Sequence, residues 1–124
     1  MGSGPVPGVI EASSRVQSTK ALLNYYPHGG GVEFIFDPKR NIFLVGKPKN
    51  PTTLTGSPHE QLARSIGADE LVVLGGIFTR GTDGSIMTGE ASGHFWQNWT
   101  PTMREKFVKY MKSMGIIVNH EEGH

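Results

Sequence analysis

Two runs of β-branched and aromatic residues, Val32 to Phe36 and Asn41 to Val45, flank the tetrapeptide Asp37-Pro38-Lys39-Arg40. Proline presets a turn dihedral and aspartate bonds its own backbone, so the chain folds back here and predicts an antiparallel hairpin. The period then changes. Ser57-Pro58-His59-Glu60 opens a helix, with serine as N-cap, proline at the first helical position and glutamate completing a capping box. Leu62, Ala63 and Ile66 form its apolar stripe and Gly67 closes it. Glu70 to Phe78 predicts a mostly apolar strand, central in a sheet. Gly75-Gly76 inside it marks a bulge or the close approach of another backbone or a ligand. Asp83-Gly84 signals a second turn, with Ile86 to Ala91 as the return strand. Thr100-Pro101 starts a second helix with Met103, Phe107, Met111 and Met114 on its apolar face. Gly115 ends that helix, and Ile116-Ile117-Val118 reads as a short last strand. A hairpin followed by a helix thus occurs twice. The expected class is α+β, an antiparallel sheet of about four to five strands with helices packed on one side. Residues 1–10 read as a linker or expression remnant. Residues 11–24 are ambiguous, with a weak helical pattern from Val16, Leu22 and Leu23, and residues 11–124 are expected to form a single domain.

Composition narrows the chemistry. The 124 residues contain no cysteine, which removes disulfides, thiol nucleophiles and cysteine-held zinc. No apolar run approaches the roughly 20 residues that span a bilayer, and the N-terminal stretch lacks the basic-then-apolar signature of a signal peptide. Glycine and proline make up about a fifth of the chain, suited to a small domain with many turns. The formal charge is only +1. Its cations nevertheless gather in two places: Lys39, Arg40, Lys47 and Lys49 around the first hairpin, and Arg104, Lys106, Lys109 and Lys112 on the second helix. Either group is compatible with phosphate contacts or with an ordinary solvated surface.

The stretch Gly93-His94-Phe95-Trp96-Gln97-Asn98-Trp99 holds both tryptophans and a histidine at a strand-to-helix junction. An imidazole moves protons near neutral pH and indoles stack bases, a combination suited to a nucleic-acid ligand. The alternative is core packing by the tryptophans. His28, before three glycines, is a second candidate or a solvated loop residue. His59 and Glu60 lie on the first turn of the first predicted helix, where backbone N–H groups favour an anion. The capping box alone also accounts for Glu60. If the sheet brings His94 to them, the set becomes an acid and a base around one phosphate, with Lys47, Arg64 or Arg80 neutralising charge. Metal-independent RNA cleavage needs such a set: one group removes the 2′-hydroxyl proton, another protonates the leaving 5′-oxygen, and a cation holds the phosphorane. Asp69-Glu70 reads as a solvated pair at a strand start. His120-Glu121-Glu122-Gly123-His124 matches H-E-x-x-H, but it follows a β-rich run and includes a glycine, so it reads as a polar terminus rather than a zinc helix. No metal or cofactor is expected, and no Walker, dinucleotide or nucleophile-elbow motif occurs.

Three segments carry a family resemblance: Tyr25-Tyr26-Pro27-His28-Gly29-Gly30-Gly31, Gly56 through Ala63, and Ser92-Gly93-His94-Phe95 leading to Asn98-Trp99-Thr100-Pro101. Across Val16 to Gly115 the chain resembles the C-terminal toxin domain of bacterial polymorphic toxins, the class called type 43. The resemblance implies a toxin-like catalytic domain over residues 11–124, borne on a larger carrier, secreted with it and acting in the target-cell cytoplasm. It also implies a cognate immunity protein. Small α+β toxin tips are often similar to the barnase, EndoU and colicin ribonucleases, so the implied activity is an endoribonuclease with RNA, including tRNA, as substrate. His28, His59, Glu60 and His94 are the catalytic candidates. Lys47, Arg64, Arg80, Trp96 and Trp99 are candidates for binding RNA or phosphate. The alternatives are a non-catalytic nucleic-acid or carbohydrate binding module, or a toxin with other chemistry such as a metal-dependent nuclease or a transferase.

Overall fold

Apolar side chains occupy consecutive positions in the first predicted hairpin, and a strand buried on both faces is what such a run forms. A computed structural model of the chain describes residues 5–13, 19–27, 30–49 and 55–123. Its elements are β1 (Val9–Ser13), α1 (Thr19–Leu23), β2 (Val32–Asp37), β3 (Ile42–Gly46), α2 (Pro58–Ser65), β4 (Leu74–Arg80), β5 (Ile86–Thr88), a 3₁₀ turn (Trp96–Asn98), α3 (Pro101–Ser113) and β6 (Val118–His120). The six strands form one sheet in the order β1-β3-β2-β4-β5-β6. The expected α+β class and largely antiparallel sheet are both present.

The turn of the β2–β3 hairpin is organised by Asp37, whose carboxylate accepts from the Lys39 backbone N–H at 2.9 Å and from Arg40 Nε at 2.8 Å. Register follows the alternation of side chains. Val32, Phe34, Phe36, Phe43, Val45, Leu74 and Phe78 face one side, packing with Leu22 of α1 and Phe107 and Met111 of α3. Ile35, Ile42 and Leu44 face the other side, against Leu62 and Ala63 of α2 and Phe95.

Three expectations change. The helices cover both faces of the sheet rather than one, because β2 and β3 carry large apolar side chains on each, Phe34, Phe36 and Phe43 on one and Ile35, Ile42 and Leu44 on the other, and exposing either would leave them in water. Residues 9 and 10 are not linker. They begin β1, which pairs antiparallel with β3 from Val9 opposite Gly46 to Ser13 opposite Ile42. That edge strand raises the count to six, and the expected short last strand is present as β6, Val118–His120. β6 runs parallel to β5, Ile86 opposite Val118 and Thr88 opposite His120, because α3 carries the chain back along the sheet before it pairs.

Both longer helices start and stop where expected. Ser57 caps α2 and Thr100 caps α3. At the end of α3 the Ile116 N–H donates to the Met111 carbonyl and the Gly115 N–H to that of Lys112, each at 2.9 Å, with Gly115 at φ 81°. That left-handed step is open to glycine with little strain.

Candidate active site

The Gly75-Gly76 step in β4 is where the elements of the site meet. A Cβ on Gly76 would lie 1.8 Å from the Gly89 carbonyl oxygen, and one on Gly75 would lie 3.0 Å from His59 Cδ2 and 3.4 Å from Phe95. The glycines therefore mark a close approach of backbone on one side and of α2 and the 92–95 loop on the other. His59 Nε2 sits 2.8 Å from the Gly76 carbonyl oxygen and donates to it. His59 is buried, and desolvation lowers its pKa from the ordinary value of 6.5. It is neutral at pH 7 and pins the first turn of α2 to β4. Its expected place as an exposed acid or base does not hold, because its proton is committed to a buried carbonyl.

Its neighbour Glu60 turns the other way. The capping box is complete: the Ser57 N–H donates to Glu60 Oε1 at 2.8 Å, and the Glu60 N–H donates to Ser57 Oγ at 3.3 Å. The second carboxylate oxygen, Oε2, lies 3.0 Å from His94 Nε2 and accepts from Arg64 Nη2 at 3.2 Å. The Ser57 N–H, with His94 and Arg64, holds the Glu60 carboxyl below the usual carboxylate range. Phe95 explains why His94 is there. Phe95 is buried beside α2 and its N–H donates to Ser92 Oγ, which holds the loop down and turns the preceding residue outward. His94 keeps 51% of its side chain exposed while Glu60 keeps 15%, so a solvent-facing imidazole rests on a fixed carboxylate.

Arg64 completes the group. Besides Glu60 it donates from Nε to Glu70 at 3.1 Å and from Nη1 to Thr55. Among the described residues those contacts leave one Nη2 hydrogen for a ligand. Glu70 is therefore part of the site rather than a merely solvated acid. Single ligand atoms from Glu60, Glu70 and His94 lie within 4.8 Å of one another, a spacing at which a divalent cation could be held if Arg64 moved aside.

The remaining sequence candidates separate. Trp99 is buried in the core, and its Nε1–H donates to the Gly75 carbonyl at 2.8 Å, so its face is not open for stacking. Trp96 keeps 38% exposure beside His94 in the chain. Arg80 lies at the opposite end of β4, on the α1 side, with its guanidinium 4.2 Å from the Tyr26 ring centroid. Five residues from Gly75 along a strand is roughly 16 Å, so Arg80 belongs to another surface. Lys47 borders a separate depression with Tyr25, Pro27 and Lys49. His28 lies outside the described residues.

A second polar cluster went unread in the sequence. Glu90, buried, takes Arg104 on both oxygens at 2.6 and 3.0 Å, His120 Nε2 at 2.7 Å and the Gly123 N–H at 3.1 Å. His120 Nδ1 meets Thr88 Oγ1 at 2.9 Å, and its ring packs on Trp99. Burial raises the Glu90 pKa, but Arg104, His120 and the Gly123 N–H outweigh it and hold the carboxyl below its usual range. His120 is thus neither a zinc ligand of an H-E-x-x-H helix nor a polar terminus residue, since β6 turns it into the α3-side core. Its partner in that motif, His124, lies outside the described residues.

A family model described as bacterial toxin 43 matches residues 1–106. The chain belongs to that family. Membership makes this a bacterial polymorphic toxin domain, and it implies a secreted carrier and a cognate immunity protein. The match includes every residue of the Glu60–Arg64–Glu70–His94 group and ends before His120. No curated protein and no solved structure matches the chain. No helix among the described residues is long and apolar enough to cross a membrane.

Proposed function

We propose that this toxin domain is a metal-independent endoribonuclease that uses His94 as an acid–base group oriented by Glu60. The observation that carries the proposal is the half-exposed His94 imidazole held 3.0 Å from a carboxylate that its helix cap fixes in place. A carboxylate with its pKa held down is a weak base but a good orienting group. Lying 3.0 Å from Nε2, it favours the tautomer that keeps the proton there and leaves Nδ1 for substrate. In the proposed step His94 takes the 2′-hydroxyl proton and the oxygen attacks phosphorus. The P–O5′ bond breaks, the 5′-oxygen takes a proton from water, and a 2′,3′-cyclic phosphate remains. Arg64, with its remaining Nη2 hydrogen, meets the phosphorane charge, and the partly exposed Trp96 is the aromatic we assign to the base. RNA is the proposed substrate, and DNA is spared because it lacks the attacking hydroxyl.

The spacing of Glu60, Glu70 and His94 favours a second reading, a metal-dependent nuclease in which the three hold a divalent ion. One experiment separates the two. Wild-type protein and His94→Ala are incubated with total bacterial RNA, with and without EDTA, and run on a denaturing gel. The proposal expects discrete products from wild type that are indifferent to EDTA and absent with His94→Ala. Cleavage abolished by EDTA and restored by a divalent ion would establish the second reading. Intact RNA and intact DNA alongside cell death on expression would rule out both.

A further inference from the structure

Helix α2 covers β2, β3 and the Gly75 end of β4 but leaves the same face uncovered from Ile77 onward in β4 and across β5 and β6. Ile77, Thr79, Met87, Gly89 and Asn119 share that face, as the β4–β5 and β5–β6 registers require. They floor a cleft of about 410 Å³ that runs along β5 to Ala91, three residues from His94. The volume lies within the range of small-ligand sites. Its chemistry is distinctive. Ile77 and Met87 are apolar, with Met87 43% exposed. Thr79 and Asn119 supply a hydroxyl and an amide; Glu90 and His120 also border the cleft, already paired with each other, and no lysine or arginine lines it among the described residues. The centre of the floor is a bare peptide: a Cβ built on Gly89 would meet nothing within 4 Å. Gly89 itself is held by its N–H donating to the Ile77 carbonyl at 2.9 Å.

A phosphate would find no lysine or arginine among the described residues of such a floor, and Glu121 beside it repels it. A flat, neutral ring with hydrogen-bonding edges fits. It can lie on Gly89 between Ile77 and Met87 and bond at its edge to the Asn119 amide, which donates and accepts at once. We propose that this cleft is a nucleobase subsite, holding the base of a nucleotide adjacent to the phosphate at His94. The inference rests on the ribonuclease proposal for its context and deepens it, because it places base selection on the sheet and phosphate chemistry at the mouth of α2.

The test uses ¹⁵N-labelled full-length protein carrying His94→Ala, titrated separately with adenosine, guanosine, cytidine and uridine and followed by amide chemical shifts. The expected result is saturable shifts at Thr79, Met87, Gly89 and Asn119 with at least one nucleoside. Gly89→Leu, whose side chain enters the open space, should weaken that binding by roughly tenfold or more with an unchanged spectrum elsewhere. In a protein with His94 intact, Asn119→Ala should change which dinucleotide steps are cut while leaving cyclic-phosphate products. Absence of shifts in the cleft with all four nucleosides, or binding that survives Gly89→Leu, overturns the subsite. Nucleoside shifts in the cleft without RNA cleavage by the His94-intact protein would uphold the subsite and sink the ribonuclease proposal, pointing to a free nucleotide as ligand. Cleavage with unaltered step preference in both cleft variants would do the reverse.

Discussion

Glu60 has two duties that substitution can separate. Its Oε1 closes the capping box and its Oε2 orients His94. Glutamine keeps the acceptor that the box needs but not the charge, so Glu60→Gln should melt close to wild type while cleavage falls about 10²–10⁴-fold, the usual worth of an acid–base contribution. Ser57→Ala removes the cap itself and should cost about 1 kcal/mol in thermal or urea unfolding. His59, one residue earlier, makes the opposite prediction. Because burial lowers its pKa below 6.5, the unfolded chain takes up a proton that the native chain refuses as pH drops. Its contribution is full above pH 6.5 and is lost on acidification towards the native pKa. Stability measured by urea midpoints should therefore begin to fall just below that value, and His59→Gln should flatten that part of the curve. A wild-type curve flat from pH 7 to 5 would contradict the assignment.

The strands and helices reveal which parts of the site can be read from a linear pattern. The α2 capping box was legible in Ser57-Pro58-His59-Glu60, and it correctly put Glu60 at an exposed helix mouth, because capping is decided by local backbone geometry. The close approach at Gly75-Gly76 was legible for the same reason. Which histidine turns outward was not, since that depends on Phe95 and His59 packing together over Gly75 on one face of the sheet. Arg80 looked as eligible as Arg64 because charge carries no information on which face of β4 a residue takes. Glu90 and His120 escaped notice because their partnership joins strands on either side of α3, with no local signal. The sheet makes its own prediction here. Gly76→Ala puts a methyl group 1.8 Å from the Gly89 carbonyl, where neither backbone can yield cheaply. It should destabilise by about 3 kcal/mol, whereas Gly89→Ala, facing open space, should leave the denaturation midpoint near wild type.

Taken as one body, the molecule is a sheet with a sealed face and a half-open one. The sealed side depends on Glu90, whose Arg104, His120 and Gly123 contacts join β5, α3 and the last described residues. Removing the carboxylate leaves the Arg104 guanidinium without its counter-charge and the His120 ring and Gly123 N–H without their acceptor, so Glu90→Ala should cost about 3–5 kcal/mol. The check is urea unfolding, in which the half-open face and the His94 pair should be lost in the same transition. The parallel β5–β6 pairing has a consequence in time. A ribosome makes β1 to β5 before α3, and β6 only after it. While residues 118–123 are unmade, Glu90 lacks His120 and Gly123, and the β5 edge of the sheet has no partner strand. A producing cell thus holds an unfinished sheet until synthesis has passed that strand, and the same order of closure faces any chain that refolds after passing in extended form from one compartment to another.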